Sequence, residues 1–153
     1  MRVGDVMHIN LVTCSPDDSV SAAVQQMVTA RVGCILAVGD DGRLAGVLSE
    51  RDVLRLVAED ADMREARVGT AMTREVLTVE MDADLAWAAA RMADGKIRHL
   101  PIVEDGHPAG IISMRDLLEL SAEVLRLQGP AAASDVLRAA VGRPAATTAA
   151  GQR

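Results

Sequence analysis

The 153-residue sequence predicts a mixed α/β (α+β) protein built from two similar repeats, and three observations support this prediction. The short motifs VGDVM and VGTAM open two similar stretches of the chain. Each stretch contains two apolar runs joined by a turn with glycine, which is typical of a β-hairpin. Each then continues into Ser-x-x-Asp at the start of an amphipathic segment. A chain that repeats itself in this way is interpreted first through its repeat.

The two stretches align at a nearly constant offset. Met7 aligns with Met72 at 65 positions, and after the hairpin turn Gly46 aligns with Gly110 at 64. We expect a first repeat over 1–60, a linker over 61–67, a second repeat over 68–122 and a C-terminal segment over 123–153. A repeat of roughly 60 residues buries little apolar surface alone. The repeats are therefore expected to pack together about a pseudo-twofold axis.

Each repeat is predicted to have the order β-α-β-β-α. In the first repeat, a brief strand at LVTC precedes a helix with Ser15 as its cap and Pro16 at its first position. The apolar face of this helix is predicted to hold Val20, Ala23, Val24, Met27 and Val28. Strands are expected at 34–38 and 44–48, followed by a helix from about Glu50.

The second repeat follows the same plan. A brief strand at VLTV precedes a helix that ends at Gly95. Its apolar face is predicted to hold Leu85, Ala88, Ala89 and Met92. Strands are expected at 99–103 and 109–112, followed by a helix from about Met114. The charged stretch 58–69 between the repeats is predicted to be helical, and the tail to hold a short helix at 133–141 before ten disordered residues.

Composition narrows the classes of function. Half of the residues are apolar, but the chain has no Phe or Tyr and one Trp, so no aromatic platform exists for stacking bases. The net charge of −6 opposes binding to a nucleic acid. The start of the chain has no signal-peptide pattern and no apolar run approaches a membrane span, which predicts a cytoplasmic protein that binds no membrane.

Three isolated residues have ordinary interpretations. Cys14 and Cys34 have no metal-site spacing, and we interpret them as buried or half-buried thiols, with a redox switch as the alternative. Trp87 would project off the apolar face of its helix. It is either a contact in a homodimer or an exposed rim residue.

The repeated sequence motifs resemble the tandem CBS domain, which is named after cystathionine β-synthase, over about residues 1–122. The resemblance lies in VGDVM, LVT and GRLAGVLSERDVL, and again in VGTAMT, VLTV and IRHLPIVEDGHPAGIISMRDLL. It implies two repeats in a flat disc, often dimeric, that regulate an unknown effector protein. It also implies clefts that bind adenosine-containing ligands such as AMP, ADP, ATP, S-adenosylmethionine or NAD, with no cofactor required.

The resemblance also implies which residues form the ligand sites. The ribose-binding Asp of Ser-x-x-Asp falls on Asp52 and Asp116, with Ser49 and Ser113 at the first position and Arg51 and Arg115 before the Asp. The base-pocket positions are Thr13, Val32, Gly33 and Cys34 in the first repeat and Thr78, Ile97, Arg98 and His99 in the second. The first repeat departs from the family pattern in two ways. It has Leu36 where the second repeat has Pro101, and it lacks the basic residues found around Lys96 in the second repeat. The second-repeat ribose and phosphate candidates, Pro101 included, are therefore preferred.

Each site has a simpler interpretation. Ser49 with Asp52, and Ser113 with Asp116, would also form capping boxes at the start of a helix. Lys96, Arg98 and His99 could neutralise a phosphate or could be solvated residues at a strand edge. A nucleotide-binding regulator is thus weighed against a ligand-free scaffold that forms homodimers. An enzyme is the weakest hypothesis, because no phosphate loop, metal spacing or nucleophile with a base is present in the sequence.

Overall fold

The computed structural model describes residues 1–128, so the predictions for the short helix at 133–141 and for the disordered end of the tail lie outside the described residues. After a 3-10 turn at Val3–Asp5, the first repeat contains two helices and three strands. They are β1 (Thr13–Cys14), α1 (Val20–Ala30), β2 (Cys34–Val38), β3 (Leu44–Ser49) and α2 (Glu50–Ala58). The second repeat contains α3 (Val68–Ala71), α4 (Leu85–Asp94), β4 (His99–Glu104), β5 (His107–Ser113) and α5 (Met114–Gln128).

The predicted mixed α/β fold is confirmed, with one local difference between the repeats. In the first repeat β1 pairs in parallel with β2, and β2 pairs in antiparallel with β3. In the second repeat β4 and β5 form the equivalent hairpin. The strand predicted at VLTV is reduced there to a single bridge between Val79 and Ile102. At the hairpin turns Gly42 and Gly106 have φ of +76° and +82°, which glycine adopts without strain.

The opening turn of each repeat completes the core of the other repeat. Val3, fully buried, packs among core residues of the second repeat, and its N–H donates to Ala83 O at 2.9 Å. Val68, also fully buried, packs in the core of the first repeat, and its N–H donates to Asp18 O at 2.9 Å. This exchange relates the repeats by the expected pseudo-twofold symmetry and joins the two cores.

Three predictions about the first repeat are wrong. Helix α1 begins after Ser19, whose side chain accepts from Ala22 N at 3.2 Å, so Ser15 is not its cap and Pro16 is not its first residue. Ser15 N instead donates to Asp18 Oδ2 at 2.8 Å in a separate turn. Val28 is not a core residue, since it is 72% exposed.

The charged stretch between the repeats is irregular between the end of α2 and the start of α3, and the prediction of a helix there is wrong. Two backbone carbonyls of this stretch accept hydrogen bonds from the start of α1. Ala66 O and Met63 O accept from Val20 N and Ser21 N at 2.9 and 2.8 Å. They satisfy two of the backbone donors that every helix leaves unpaired at its N-terminus. Helix α5 also runs past residue 122 without a break.

The predictions for the first long helix of the second repeat are confirmed. The predicted apolar face of α4 is buried, and Gly95 is the cap at its C-terminus. Trp87 is 52% exposed, as expected for a residue off that face, and Arg91 lies 5.9 Å from its ring centroid. Both cysteines are buried and free. Among the helices of residues 1–128, none is long and apolar enough to cross a membrane.

Candidate functional site

Both Ser-x-x-Asp motifs form capping boxes, as the simpler interpretation predicted. In the first repeat Ser49 N and Ser49 Oγ donate to Asp52 Oδ2 at 2.9 and 2.6 Å. In the second repeat Ser113 N donates to Asp116 Oδ2 at 2.6 Å, and Asp116 N donates to Ser113 Oγ at 3.3 Å. Capping uses one carboxylate oxygen of each Asp and leaves the other for a further partner.

The remaining oxygens of the two Asp residues have different surroundings. Asp52 Oδ1 lies 3.4 Å from Arg55 Nη2, on the same helix. Asp116 Oδ1 lies 2.9 Å from His8 Nε2, across the boundary between the repeats. Asp116 also faces a large cavity, whereas Asp52 does not line it. The repeats are therefore similar in backbone but different at this site.

The cavity has a volume of about 960 Å³ and is bounded by both repeats. One wall is formed by α1, α2 and the segment before β2, and the other by His99, the end of β5 and the start of α5. Of the predicted site residues, eight line it: Val32, Gly33, Cys34, Arg98, His99, Ser113, Arg115 and Asp116. Seven do not line it: Thr13, Ser49, Arg51, Asp52, Thr78, Ile97 and Pro101.

Three of the predicted residues that do not line the cavity have structural surroundings that account for this. Pro101 is fully buried within β4, and Ile97 packs against the core of the second repeat. Thr13 pairs with Leu36 in the sheet, and its neighbour Val12 lines the cavity instead. Lys96, the other cation expected to meet a phosphate, is exposed and is not among the lining residues.

Several cavity residues were not predicted from the sequence. They are His8, Asn10, Leu11, Val12, Val24, Met27, Val28, Arg31, Leu36, Glu50, Val53, Leu54, Ile111 and Met114. His8 had one available signal, since it is an imidazole at the position where the other repeat has Thr73. Exposed Val28 and Leu54 had none, because apolar residues on a helix are ordinarily assigned to the core.

The side chains of His99 and Glu50 both lie close to Gly33, and all three residues line the cavity. A Cβ added to Gly33 would lie 3.1 Å from His99 Cε1 and 3.3 Å from Glu50 Oε2, so glycine allows this approach. Arg98 Nη2 lies 3.9 Å from Glu50 Oε2 in an exposed ion pair. Burial, reinforced by Arg98, lowers the pKa of His99 against the opposing carboxylates of Glu50 and Asp116. The His99 imidazole is thus favoured in its neutral form.

The carboxylate of Asp116 is held ionised. Burial acts to raise its pKa, but the hydrogen bonds from Ser113 and His8 together outweigh burial and bring the pKa below its ordinary value. The side chain is 17% exposed, so water competes little for the oxygen that faces His8. An ionised carboxylate accepts hydrogen bonds and does not donate them, which suits it to a partner with hydroxyl groups.

The thiol of Cys34 is a third ionisable group of the cavity whose pKa is shifted by burial. Burial raises its pKa to about 12, with a further contribution from Glu50. Burial likewise raises the pKa of Cys14, which lies outside the cavity, to about 11. Both thiols are therefore protonated near neutral pH. Within the described part of the chain, no group of three or more His, Cys, Asp or Glu residues could hold a metal ion.

The two similar repeats, with a cavity between them and a capping-box Asp at its edge, define a paired-repeat α/β protein. The family model for the CBS domain matches residues 3–59 and 68–123, and the chain belongs to this family. A CBS domain-containing protein of Bacillus subtilis, YhcV, is 34% identical over 116 residues, which are 75% of this chain and 81% of the relative.

Two further comparisons concern a longer protein and a ligand complex. The mitochondrial CBS domain-containing protein CBSX3 of Arabidopsis thaliana is 34% identical over 110 residues, which are 69% of this chain. The chain spans only about half of that relative's length, 53%. The CBS domain protein PAE2072 of Pyrobaculum aerophilum, solved in complex with AMP, has a TM-score of 0.75 and 26% identity, with 85% of this chain and 100% of that chain covered.

Proposed function

We propose that this protein is a regulatory module that binds an adenosine nucleotide in the cavity between its repeats, with Asp116 as the ribose-binding residue. The observation that carries the proposal is the position of Asp116, an ionised carboxylate on the wall of a cavity of about 960 Å³. Cavities of roughly 300–1,000 Å³ are typical of small-molecule sites. The AMP complex of the similar PAE2072 protein supports the same class of ligand.

The apolar wall of the cavity suits a flat base. Val24 and Val28 of α1 face the cavity together with Val53 and Leu54 of α2. Val28 is 72% and Leu54 is 69% exposed, so two large apolar side chains are in contact with solvent beside a polar site. A purine placed against them would remove apolar surface from water, which is favourable. The same wall explains why Val28 is outside the core.

The charges of the cavity favour an anionic ligand. Three arginines, Arg31, Arg98 and Arg115, line it against two carboxylates, Glu50 and Asp116. The cavity is thus net positive in a chain whose net charge is −6. Arg115 also belongs to the first turn of α5, where backbone N–H groups favour an anion. We therefore propose an adenosine phosphate such as AMP in preference to the cationic S-adenosylmethionine.

The cavity residues favour binding over catalysis. The cavity is lined by one thiol and one hydroxyl, those of Cys34 and Ser113. The thiol of Cys34 has a pKa of about 12, and Ser113 Oγ accepts from Asp116 N within the helix cap. Neither is activated as a nucleophile. A ligand that touches both repeats would change their packing or the geometry of a homodimer, and an effector protein of unknown identity would respond to that change.

A ligand-free scaffold is the second candidate, and exposed Trp87 favours it. This side chain is 52% exposed on α4, and Leu118 of α5 is also 52% exposed. Large apolar side chains in contact with water are typical of a protein interface. A homodimer through these helices is compatible with nucleotide binding, so the scaffold differs from the first proposal only in having no ligand.

Isothermal titration of AMP into the wild type, Asp116→Asn and Asp52→Asn tests the proposal. Both substitutions change the acid of a capping box and keep an oxygen that can cap a helix. Hydrogen bonds to a charged group contribute about 1.5–3 kcal/mol, so Asp116→Asn should weaken AMP binding by roughly 10- to 100-fold. Asp52→Asn should leave it unchanged. Equal weakening in both variants, or no binding by the wild type, would contradict the proposal.

A further inference from the structure

His8 occupies the oxygen of Asp116 that capping leaves available. Its Nε2 lies 2.9 Å from Asp116 Oδ1, while Asp116 Oδ2 accepts from Ser113 N. On the basis of the proposed function, we propose that His8 is a latch that competes with the ribose hydroxyls of the ligand for Asp116 and thereby sets the affinity of the cavity. A ligand with a ribose diol must displace the imidazole, whereas a ligand without one need not.

The backbone of His8 is fixed while its side chain is free to turn. His8 N donates to Ile111 O, and Ile111 N donates to His8 O, both at 2.9 Å. The preceding residue Met7 packs against the core of the second repeat. The His8 side chain is nevertheless 64% exposed. Rotation about its own bonds is therefore enough to release Asp116, and no part of the fold has to move.

The direction of the hydrogen bond follows from the state of Asp116. Its carboxylate is ionised and can only accept, so Nε2 must carry the proton that is shared between the two residues. An imidazole with a proton on Nε2 donates whether it is neutral or charged. Ribose hydroxyls are donors of the same kind. The imidazole and the ribose hydroxyls are thus alternative donors to the same carboxylate oxygen.

The first-repeat Asp lacks this latch, although the backbone around it is the same. Thr73 stands at the position equivalent to His8, and its N–H and C=O pair with Val47 at 2.9 and 3.0 Å. Asp52 Oδ1 is instead close to Arg55 Nη2, three residues further along α2. Thr73 provides a matched control for the same backbone contact with no imidazole.

Binding measurements with AMP and with 2′,3′-dideoxy-AMP, which lacks the ribose diol, distinguish His8 as a latch from His8 as a direct ligand contact. Exposed ion pairs contribute about 0.2–1 kcal/mol, so His8→Ala should raise AMP affinity by about 1.4- to fivefold and leave dideoxy-AMP affinity unchanged. Thr73→Ala should change neither. Weaker AMP binding by His8→Ala would make His8 a ligand contact and overturn the latch, as would an equal change for both nucleotides or no change for AMP.

The outcomes for the latch and for the proposed function are distinguishable. A wild type that fails to prefer AMP over dideoxy-AMP contradicts the role of Asp116 itself. If the wild type prefers AMP but His8→Ala binds AMP with the same affinity as the wild type, the latch alone is contradicted. A measurement without ligand tests the contact directly: Asp116→Asn should shift the NMR resonances of the His8 imidazole, and unshifted resonances would overturn the latch.

Discussion

Met72, which follows the opening turn of the second repeat, lies directly over Gly46 in β3 of the first. A Cβ added to Gly46 would lie 2.6 Å from Met72 Sδ and 2.7 Å from Thr73 O. Met7 lies over Gly110 in the equivalent place of the second repeat, and an added Cβ there would overlap its Sδ. This pair of contacts is where the two repeats exchange their opening turns.

Gly46→Ala should destabilise the protein more than Gly110→Ala. At Gly46 the added methyl group meets a backbone carbonyl that pairs with Val47 and cannot move freely, whereas at Gly110 its three nearest atoms all belong to the Met7 side chain. Overpacking of this kind costs about 1–3 kcal/mol. Urea unfolding of both variants measures the difference. An equal or smaller loss in Gly46→Ala would contradict the described contact.

Val3→Ala should destabilise the second repeat although Val3 is among the first residues of the chain. Val3 is fully buried in that repeat's core, so the loss is expected to be about 1–3 kcal/mol. Val28→Ala provides the control, since Val28 is 72% exposed and should change stability little. Chemical denaturation followed by circular dichroism measures both. A Val3→Ala variant as stable as the wild type would show that the opening turns are not exchanged.

His99 should make the protein less stable in mild acid. Because its pKa in the folded state is below the ordinary value of 6.5, the unfolded chain binds the proton more readily. The resulting stability is present above pH 6.5 and is lost as pH falls from there toward the lower pKa of the folded state. Between pH 7.5 and 5.5 the wild type should therefore lose more unfolding free energy than His99→Gln. Identical pH profiles for the wild type and His99→Gln would contradict the assignment.

The two cysteines should react slowly with thiol reagents in the native protein. Cys14 and Cys34 are 7% and 5% exposed, and their pKa values are about 11 and about 12. Since the thiolate is the reactive form, labelling by a disulfide reagent at pH 8 should be slow until guanidinium unfolds the chain. AMP should slow the labelling of Cys34 further, because Cys34 lines the cavity, and leave Cys14 unaffected. Rapid native labelling of both thiols would contradict this account and support a redox switch.

The elements of the repeats could be predicted because their signals are local. The starts of α2 and α5 follow from Ser-x-x-Asp, and the hairpins from glycines at turn positions. The start of α1 could not be predicted from local signals alone. Ser15 and Ser19 are both capping residues by type, and the choice between them depends on contacts with residues almost 50 positions away, where Ala66 O and Met63 O accept from α1.

The cavity was predicted only in part, for a related reason. Repeat symmetry predicts two equivalent sites, and the motif positions on the α5 side of the cavity were found from it. The difference between the sites depends on side chains that the two repeats do not share. Glu50 aligns with Met114, Arg98 with Gly33, and His8 with Thr73. Whether Asp52 or Asp116 lines the cavity depends on how these differing side chains pack between the two repeats.

The number of AMP molecules bound per chain tests the central claim most directly. One nucleotide is expected in the cavity at Asp116 and none at Asp52, whose remaining oxygen is close to Arg55. Equilibrium dialysis at protein concentrations well above the dissociation constant should give one AMP per chain for the wild type and for Asp52→Asn. Two AMP per chain, or a single site that is lost in Asp52→Asn and kept in Asp116→Asn, would contradict it.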